Sequence, residues 1–321
     1  MRQPISLAEI EAAKERIAGS AVRTPLVRLN FDDAPAEIYL KLENLQPIGS
    51  FKIRGAVNLL AQLEPAELAA GVWTASGGNM AFAVAWCARQ RGIACTVVVP
   101  EMAPDAKLAG IRHLGADIVK VSPEEFFETL STRRKDGMRG TFLHAFSDSR
   151  MMAGNGTIAL EILDDLPQVD AIVVPYGGGG LTCGIASAAQ AVAPQVKVFA
   201  CEPETAAALN DSMAAGKPVA PSYRRTFVDG AGAARVYPEM FELVQRLLVG
   251  SIAVPVVKVA EAVRLLVERN HVVAEGAGAL PVAAALAGSA GTGRLCCVIS
   301  GGNIDTNVLT SILRGEVLEP T

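Results

Sequence analysis

Apolar residues in this chain gather into short, near-continuous runs, and helical periodicity fills the stretches between them. Cys95–Pro100, Ala116–Val121, Ala171–Pro175, Val196–Ala200 and Leu295–Ile299 are rich in valine and isoleucine. Strands covered on both faces read this way, so the alternation predicts parallel sheets flanked by helices, an α/β chain. Ser6-Leu7-Ala8-Glu9 fits a capping box, with Leu7, Ile10 and Ile17 on one helical face and Gly19 as a stop. A helix pattern runs from Pro104 to Leu114, a strand is expected over Ile38–Asn44, and a helix over Ala56–Leu60. Between those last two lies the loop Gly49-Ser50-Phe51-Lys52-Ile53-Arg54-Gly55-Ala56. No repeat or low-complexity linker divides the chain. The polar stretch Arg133–Gly140 is either a crossing between two lobes or a surface loop.

Ala171–Pro194 carries no charge, which raises the question of a membrane span. Four consecutive glycines and two prolines make it a poor helix, and strand, loop and helix in succession describe it better. With 321 residues, half of them apolar and 19% charged, the chain can hold two domains with sizeable cores. A net charge of −4, with Arg133-Arg134-Lys135 as the only dense basic run, argues against nucleic acid as a partner. The six cysteines form no C-x-x-C pair and sit in apolar patterns, which points to the reduced cytoplasm. The N-terminus has no apolar core of the kind a secretion signal needs.

Ligands in open parallel sheets bind beyond the carboxyl ends of the strands. Four such ends carry unusual residues. Lys52 is placed near a helix start, where the helix dipole and the apolar Phe51 and Ile53 both disfavour an ammonium, leaving a nucleophilic amine. Ser76-Gly77-Gly78-Asn79-Met80 exposes backbone N–H groups at a helix start, suited to a carboxylate or phosphate. Gly177-Gly178-Gly179-Gly180-Leu181 would let several N–H groups converge on one anion, with neither the lysine of a P-loop nor a G-x-G-x-x-G register. Ser300-Gly301-Gly302-Asn303 presents a neutral hydroxyl. Each has an ordinary reading when taken alone: a solvated lysine, a βα turn capped by Asn79, a tight glycine turn, common turn residues.

Together and in this order, the four loops resemble the pyridoxal-phosphate enzymes of the tryptophan synthase β fold (fold type II), nearest to threonine/serine dehydratases (ammonia-lyases), with serine racemases as close relatives. The likeness extends from Arg23-Thr24-Pro25-Leu26 to Ser300–Asp305. It includes Ala153-Gly154-Asn155-Gly156-Thr157, where the family usually has Gln in place of Asn155. It implies two three-layer lobes with parallel-rich sheets and pyridoxal 5'-phosphate in the cleft between them. Residues 1–50 and 149–321 would form the large cofactor-binding domain, and 51–148 a smaller mobile one. Lys52 would carry the cofactor as a Schiff base and Phe51 would flank its ring. Asn79 would bond the phenolic oxygen, Gly177 through Leu181 the phosphate, and Ser300 the ring nitrogen. Ser76, Gly77, Gly78, Asn79 and Met80 would take the substrate carboxylate. Glu275 falls where the family has a glutamate near the ring, and it is equally a carboxylate favoured by a helix N-terminus. The implied activity is β-elimination from an L-3-hydroxy amino acid such as L-threonine or L-serine, giving a 2-oxo acid and ammonia. The implied assembly is a homodimer or higher homo-oligomer.

Departures from the family pattern refine these expectations. Gly77 stands where the racemases carry a serine, so little racemase activity is expected. Met80 stands where dehydratases commonly have histidine, and the family has smaller or polar residues around Phe82, which suggests a bulkier or unusual 3-hydroxy amino acid as substrate. Glu202 and Pro203 match a divalent-cation segment, but Ala208 replaces its Asp, and His113, His144 and His271 are too scattered to stand in. No regulatory domain like that of biosynthetic threonine dehydratases follows the core, so isoleucine feedback is not expected. A nicotinamide dehydrogenase with Glu202 as ribose ligand would leave Lys52 and Ser300 without roles. A non-catalytic relative would not need Lys52, whereas a β-replacement enzyme of the same fold would use the same residues.

Overall fold

The computed structural model describes residues 2–103 and 105–316. Two sheets organise it. The larger has six strands: β1 (Leu26–Arg28), β2 (Glu37–Lys41), β7 (Ala171–Pro175), β8 (Lys197–Pro203), β9 (Gly250–Val254) and β10 (Arg294–Val298). Their spatial order is β1-β2-β10-β7-β8-β9, and only the edge pair β1–β2 is antiparallel. The smaller sheet is parallel throughout, with β3 (Val72–Ala75), β4 (Cys95–Pro100), β5 (Asp117–Val121) and β6 (Thr141–Phe142) in the order β5-β4-β3-β6. Every residue of β3 and β7 is buried, because helices cover both faces.

The uncharged stretch from Ala171 resolves into β7, the glycine loop and the helix Gly180–Val192. Ser6 caps the helix Leu7–Ile17 through a complete capping box with Glu9. The expected helix from Pro104 is Asp105–His113; Pro104 itself lies outside the described residues. The strand expected to reach Asn44 stops at Lys41, and Glu43–Leu45 turn as a 3-10 helix. The helix expected from Ala56 starts already at Lys52. Arg133–Gly140 does not cross between lobes. It joins the helix Pro123–Thr132 to β6, so both of its flanks belong to the smaller sheet.

What ends β2 early is a buried ionic cluster that apolar periodicity cannot reveal. The Arg54 guanidinium donates to Glu43 at 2.8 Å through both Nε and Nη2, and to Glu161 at 2.6 and 2.9 Å through Nη1 and Nη2. Lys41 Nζ adds a bond to Glu161 at 2.5 Å, and Thr24 Oγ1 donates to Glu43 at 2.6 Å. Two cations thus balance two anions out of water, and this ties β2, the helix Lys52–Leu60 and the helix Ser149–Asp165 together. The last two helices touch at the backbone: a Cβ on Gly154 would lie 2.5 Å from the Arg54 carbonyl oxygen. Lys52 therefore projects from a helix whose first turn is fixed on two sides.

Candidate active site

The loops at the carboxyl ends of β3, β6, β7 and β10 face one another, with the segment following β2 between them. Backbone bonds join the β10 loop to the segment following β2 and to Glu275, which precedes the helix Gly276–Leu286. Phe51 N donates to Ser300 O at 3.0 Å, Gly302 N to Gly49 O at 2.9 Å, and Glu275 N to Gly301 O at 3.0 Å. A chain of side-chain amides adds the β3 loop. Asn303 Nδ2 donates to Ile48 O at 2.9 Å and to Asn79 Oδ1 at 2.7 Å, and Asn79 Nδ2 donates to Glu275 Oε1 at 2.8 Å. Asn79 is the first residue of the helix Asn79–Arg91 and does not cap it, so the ordinary reading of this residue fails.

Lys52 Nζ donates to Ala145 O at 2.9 Å and stands 5.1 Å from the centre of the Phe51 ring. Desolvation lowers its pKa from 10.5 to about 8, against an upward pull from the Glu275 charge. The direction of the shift is the one expected from its neighbours, and burial in the cleft supplies its cause. Phe51 packs into the core beneath the larger sheet, in the same cluster as Phe146 and Leu181.

Gly179 has φ +90° and caps the helix that begins at Gly180, so N–H groups of the glycine run lie at a helix N-terminus. Phe146 backs this loop: a Cβ on Gly178 would collide with its ring, and one on Gly180 would lie 2.7 Å from its Cα. A Cβ on Gly177 would meet Gly230 O at 3.5 Å, which brings in a further loop, Thr226–Ala233, that periodicity did not flag. Its Asp229-Gly230 pair was the available turn signal.

Not every expected residue reaches the cleft. Met80 is 2% exposed and its side chain packs into the core of the smaller sheet, so only its backbone is available to a carboxylate. Phe82 packs on Gly110, where a Cβ would lie 2.5 Å from its Cζ. Neither side chain forms the lip that suggested a bulkier substrate. Ser76 and Gly77 stay partly exposed, and Gly78 N donates to Ser76 Oγ at 3.2 Å. Glu202, the candidate cation ligand, accepts from Leu209 N at 3.0 Å, Asn210 N at 2.9 Å and Ser251 Oγ at 3.0 Å. Burial pushes its pKa up to about 7 against those three bonds. Among the described residues no group of three or more His, Cys, Asp or Glu side chains could hold a metal ion.

A family profile described as "Pyridoxal-phosphate dependent enzyme" matches residues 17–301. The chain belongs to this family. The L-threonine ammonia-lyase of Thermotoga maritima is 39% identical over 315 residues, covering 96% of this chain and 78% of that protein. The catabolic L-threonine dehydratase of Escherichia coli (strain K12) is 36% identical over 317 residues, covering 96% of each. Among solved structures, maize serine racemase superposes with a TM-score of 0.88 at 32% identity over 98% of both chains. The fold is therefore the tryptophan synthase β-like fold, and pyridoxal phosphate is its cofactor. The cleft fits that group on its own terms. It offers an amine of depressed basicity, a glycine cradle at a helix N-terminus where a side chain would collide with Phe146, and a buried Ser50 hydroxyl with no hydrogen-bond partner beside Gly301.

Proposed function

We propose that the protein is an ammonia-lyase that converts L-threonine or L-serine to the 2-oxo acid and ammonia. Lys52 carries this reading: its amine is hydrogen-bonded to the carbonyl of Ala145, next to the Phe146 that backs the glycine loop, and is shifted to about 8 by burial against the pull of Glu275. The names of the relatives support the choice of L-threonine. Pyridoxal phosphate bound through Lys52 would supply an electron sink for charge developing at the amino acid Cα.

The residues of the chain divide the remaining work. Gly177 to Leu181 would hold the phosphate, Phe51 the ring face, Asn79 the phenolic oxygen and Ser300 the ring nitrogen, with Glu275 accepting from Asn79 alongside. The N–H groups of Ser76 to Met80 would hold the substrate carboxylate. As a free amine beside the bound substrate, Lys52 would take the Cα proton, and a base of pKa about 8 is suited to that near neutral pH. The electron pair left at Cα forms the Cα–Cβ double bond as the β-hydroxyl departs with a proton as water. The enamine product tautomerises and is hydrolysed, so one water is lost and one consumed. The net products are the 2-oxo acid and ammonia. Ser300, being neutral, would not enforce a protonated ring nitrogen, which would keep charge near Cα and favour prompt loss of the hydroxyl.

A cytoplasmic homo-oligomer belongs to the same proposal. All six cysteines are free and buried, which suits a reducing compartment, and light scattering on the purified protein measures the assembly. The activity is tested by supplying L-threonine, L-serine and bulkier 3-hydroxy amino acids and measuring 2-oxo acid and ammonia. Lys52→Ala should abolish both products, and borohydride should attach the cofactor to the Lys52 peptide of the wild type. Turnover retained in Lys52→Ala refutes the proposal.

A further inference from the structure

The turn that follows β6, Leu143 to Ser147, serves two parts of the site at once. Ala145 O accepts from Lys52 Nζ at 2.9 Å, and the Phe146 backbone and ring back Gly180 and Gly178. His144 holds this turn. Its buried ring lies edge-on to Phe146, with centroids 4.5 Å apart at 84°. Its Nδ1 accepts from Ser147 N at 3.2 Å, more weakly from Phe146 N at 3.4 Å, and lies 3.0 Å from Ser147 Oγ. Ser147 Oγ in turn accepts from Arg133 Nη2 at 2.9 Å. A ring nitrogen facing two backbone N–H groups has to be the unprotonated one, because a proton there would set donor against donor.

We propose that His144 is a positioning residue, a neutral imidazole that clamps the turn presenting the Ala145 carbonyl to Lys52 and thereby sets the proton affinity of the reactive amine. The inference deepens the lyase reading and rests on it for the importance of Lys52. The charged groups around the pair are consistent with a neutral ring. Burial, Arg133 and Lys52 all push the His144 pKa down, to about 4, against a backbone bond and Asp148, while Glu275 is the charge that raises Lys52. Without the acceptor at Nδ1 the two N–H groups lose their partner and the turn relaxes. The Lys52 ammonium then loses a carbonyl that stabilises it.

Two variants separate this role from simple packing. His144→Phe keeps the ring and its stacking and removes the acceptor; His144→Asn sets Oδ1 near the place of Nδ1. The proton affinity of Lys52 is read in the full chain freed of coenzyme, from the pH dependence of its acetylation followed by peptide mass spectrometry. His144→Phe should lower that affinity about tenfold. His144→Asn should restore it to within about twofold. A folded His144→Phe protein whose Lys52 titrates as in the wild type overturns the proposal, and so does a His144→Asn protein displaced as far as His144→Phe. If His144→Phe does not fold, His144→Gln, whose acceptor sits one bond farther out, replaces it with the same expectations. The labelling arm needs no substrate, so a wild type without lyase activity, together with the labelling shift in His144→Phe, would refute the lyase reading and leave the positioning role standing.

Discussion

Arg54→Met should be among the most damaging substitutions outside the reactive groups. Arg54 is 1% exposed and makes four bonds of 2.6–2.9 Å to Glu43 and Glu161, with two more to Thr157 Oγ1 and Val22 O at 3.1 Å. Methionine replaces most of its volume, so the main loss is charge balance: Lys41 alone would face two buried carboxylates. Leaving a buried charge uncompensated costs about 3–5 kcal/mol, against about 0–1 kcal/mol for an exposed pair such as Lys258–Glu261. Urea unfolding of the coenzyme-free chain, followed by the fluorescence of Trp73 and Trp86, is the assay. With an m-value of about 2 kcal/mol/M, the midpoint should fall by about 1.5–2.5 M. Adding Glu43→Gln leaves one cation and one anion and should recover part of the loss. The acid limb gives a second check. Burial alone would raise the Glu43 pKa, but the charge and hydrogen bonds of Arg54 outweigh it and hold the carboxyl below 4.5. A depressed carboxyl stabilises the fold above the unfolded-state value, and that contribution disappears as pH falls through the folded one. Arg54→Met should therefore flatten the wild-type loss of stability below about pH 4.5. A cost under about 1 kcal/mol, or a double variant no more stable than Arg54→Met alone, would refute the reasoning.

Lys52→Met should make the coenzyme-free chain more stable at pH 7. Between about 8 and 10.5 the unfolded chain holds a proton on Lys52 that the folded chain does not, so wild-type stability rises across that window and the variant's should not; parallel urea midpoints from pH 7 to 10 would contradict this. Gly180→Ala sets a Cβ 2.7 Å from both the Cα and the carbonyl oxygen of Phe146, and coenzyme affinity by equilibrium titration should drop at least about a hundredfold; wild-type affinity would show that the loop is not the cradle. Gly77→Ser should be tolerated, because the nearest atom to its Cβ is Ala103 Cβ at 3.8 Å, and it should raise the yield of D-serine from L-serine relative to pyruvate on chiral chromatography. D-serine formed by the wild type as fast as pyruvate would remove the basis for that expectation.

The sequence by itself determined the order of the elements and the chemistry offered at the strand ends. Valine- and isoleucine-rich runs specify strands buried on both faces, and glycine runs after them specify loops whose N–H groups are bare; both are properties of local sequence. Lys52, Asn79, Gly177 to Leu181 and Ser300 were therefore legible as candidates, and the family resemblance added Glu275. Only the tertiary structure decided which side chains face the cleft, because a helix rotates each residue by about 100° and a turn sets where that rotation starts. It turned Met80 and Phe82 away from the substrate loop and ended β2 at the buried Arg54–Glu43 pair. It also gave Lys52 and Asn303 partners, Ala145 and Asn79, at sequence separations of 93 and 224 residues. Contacts between distant segments depend on how sheets and helices pack. Hydrophobic periodicity records that an element is buried, and only packing determines what the element meets.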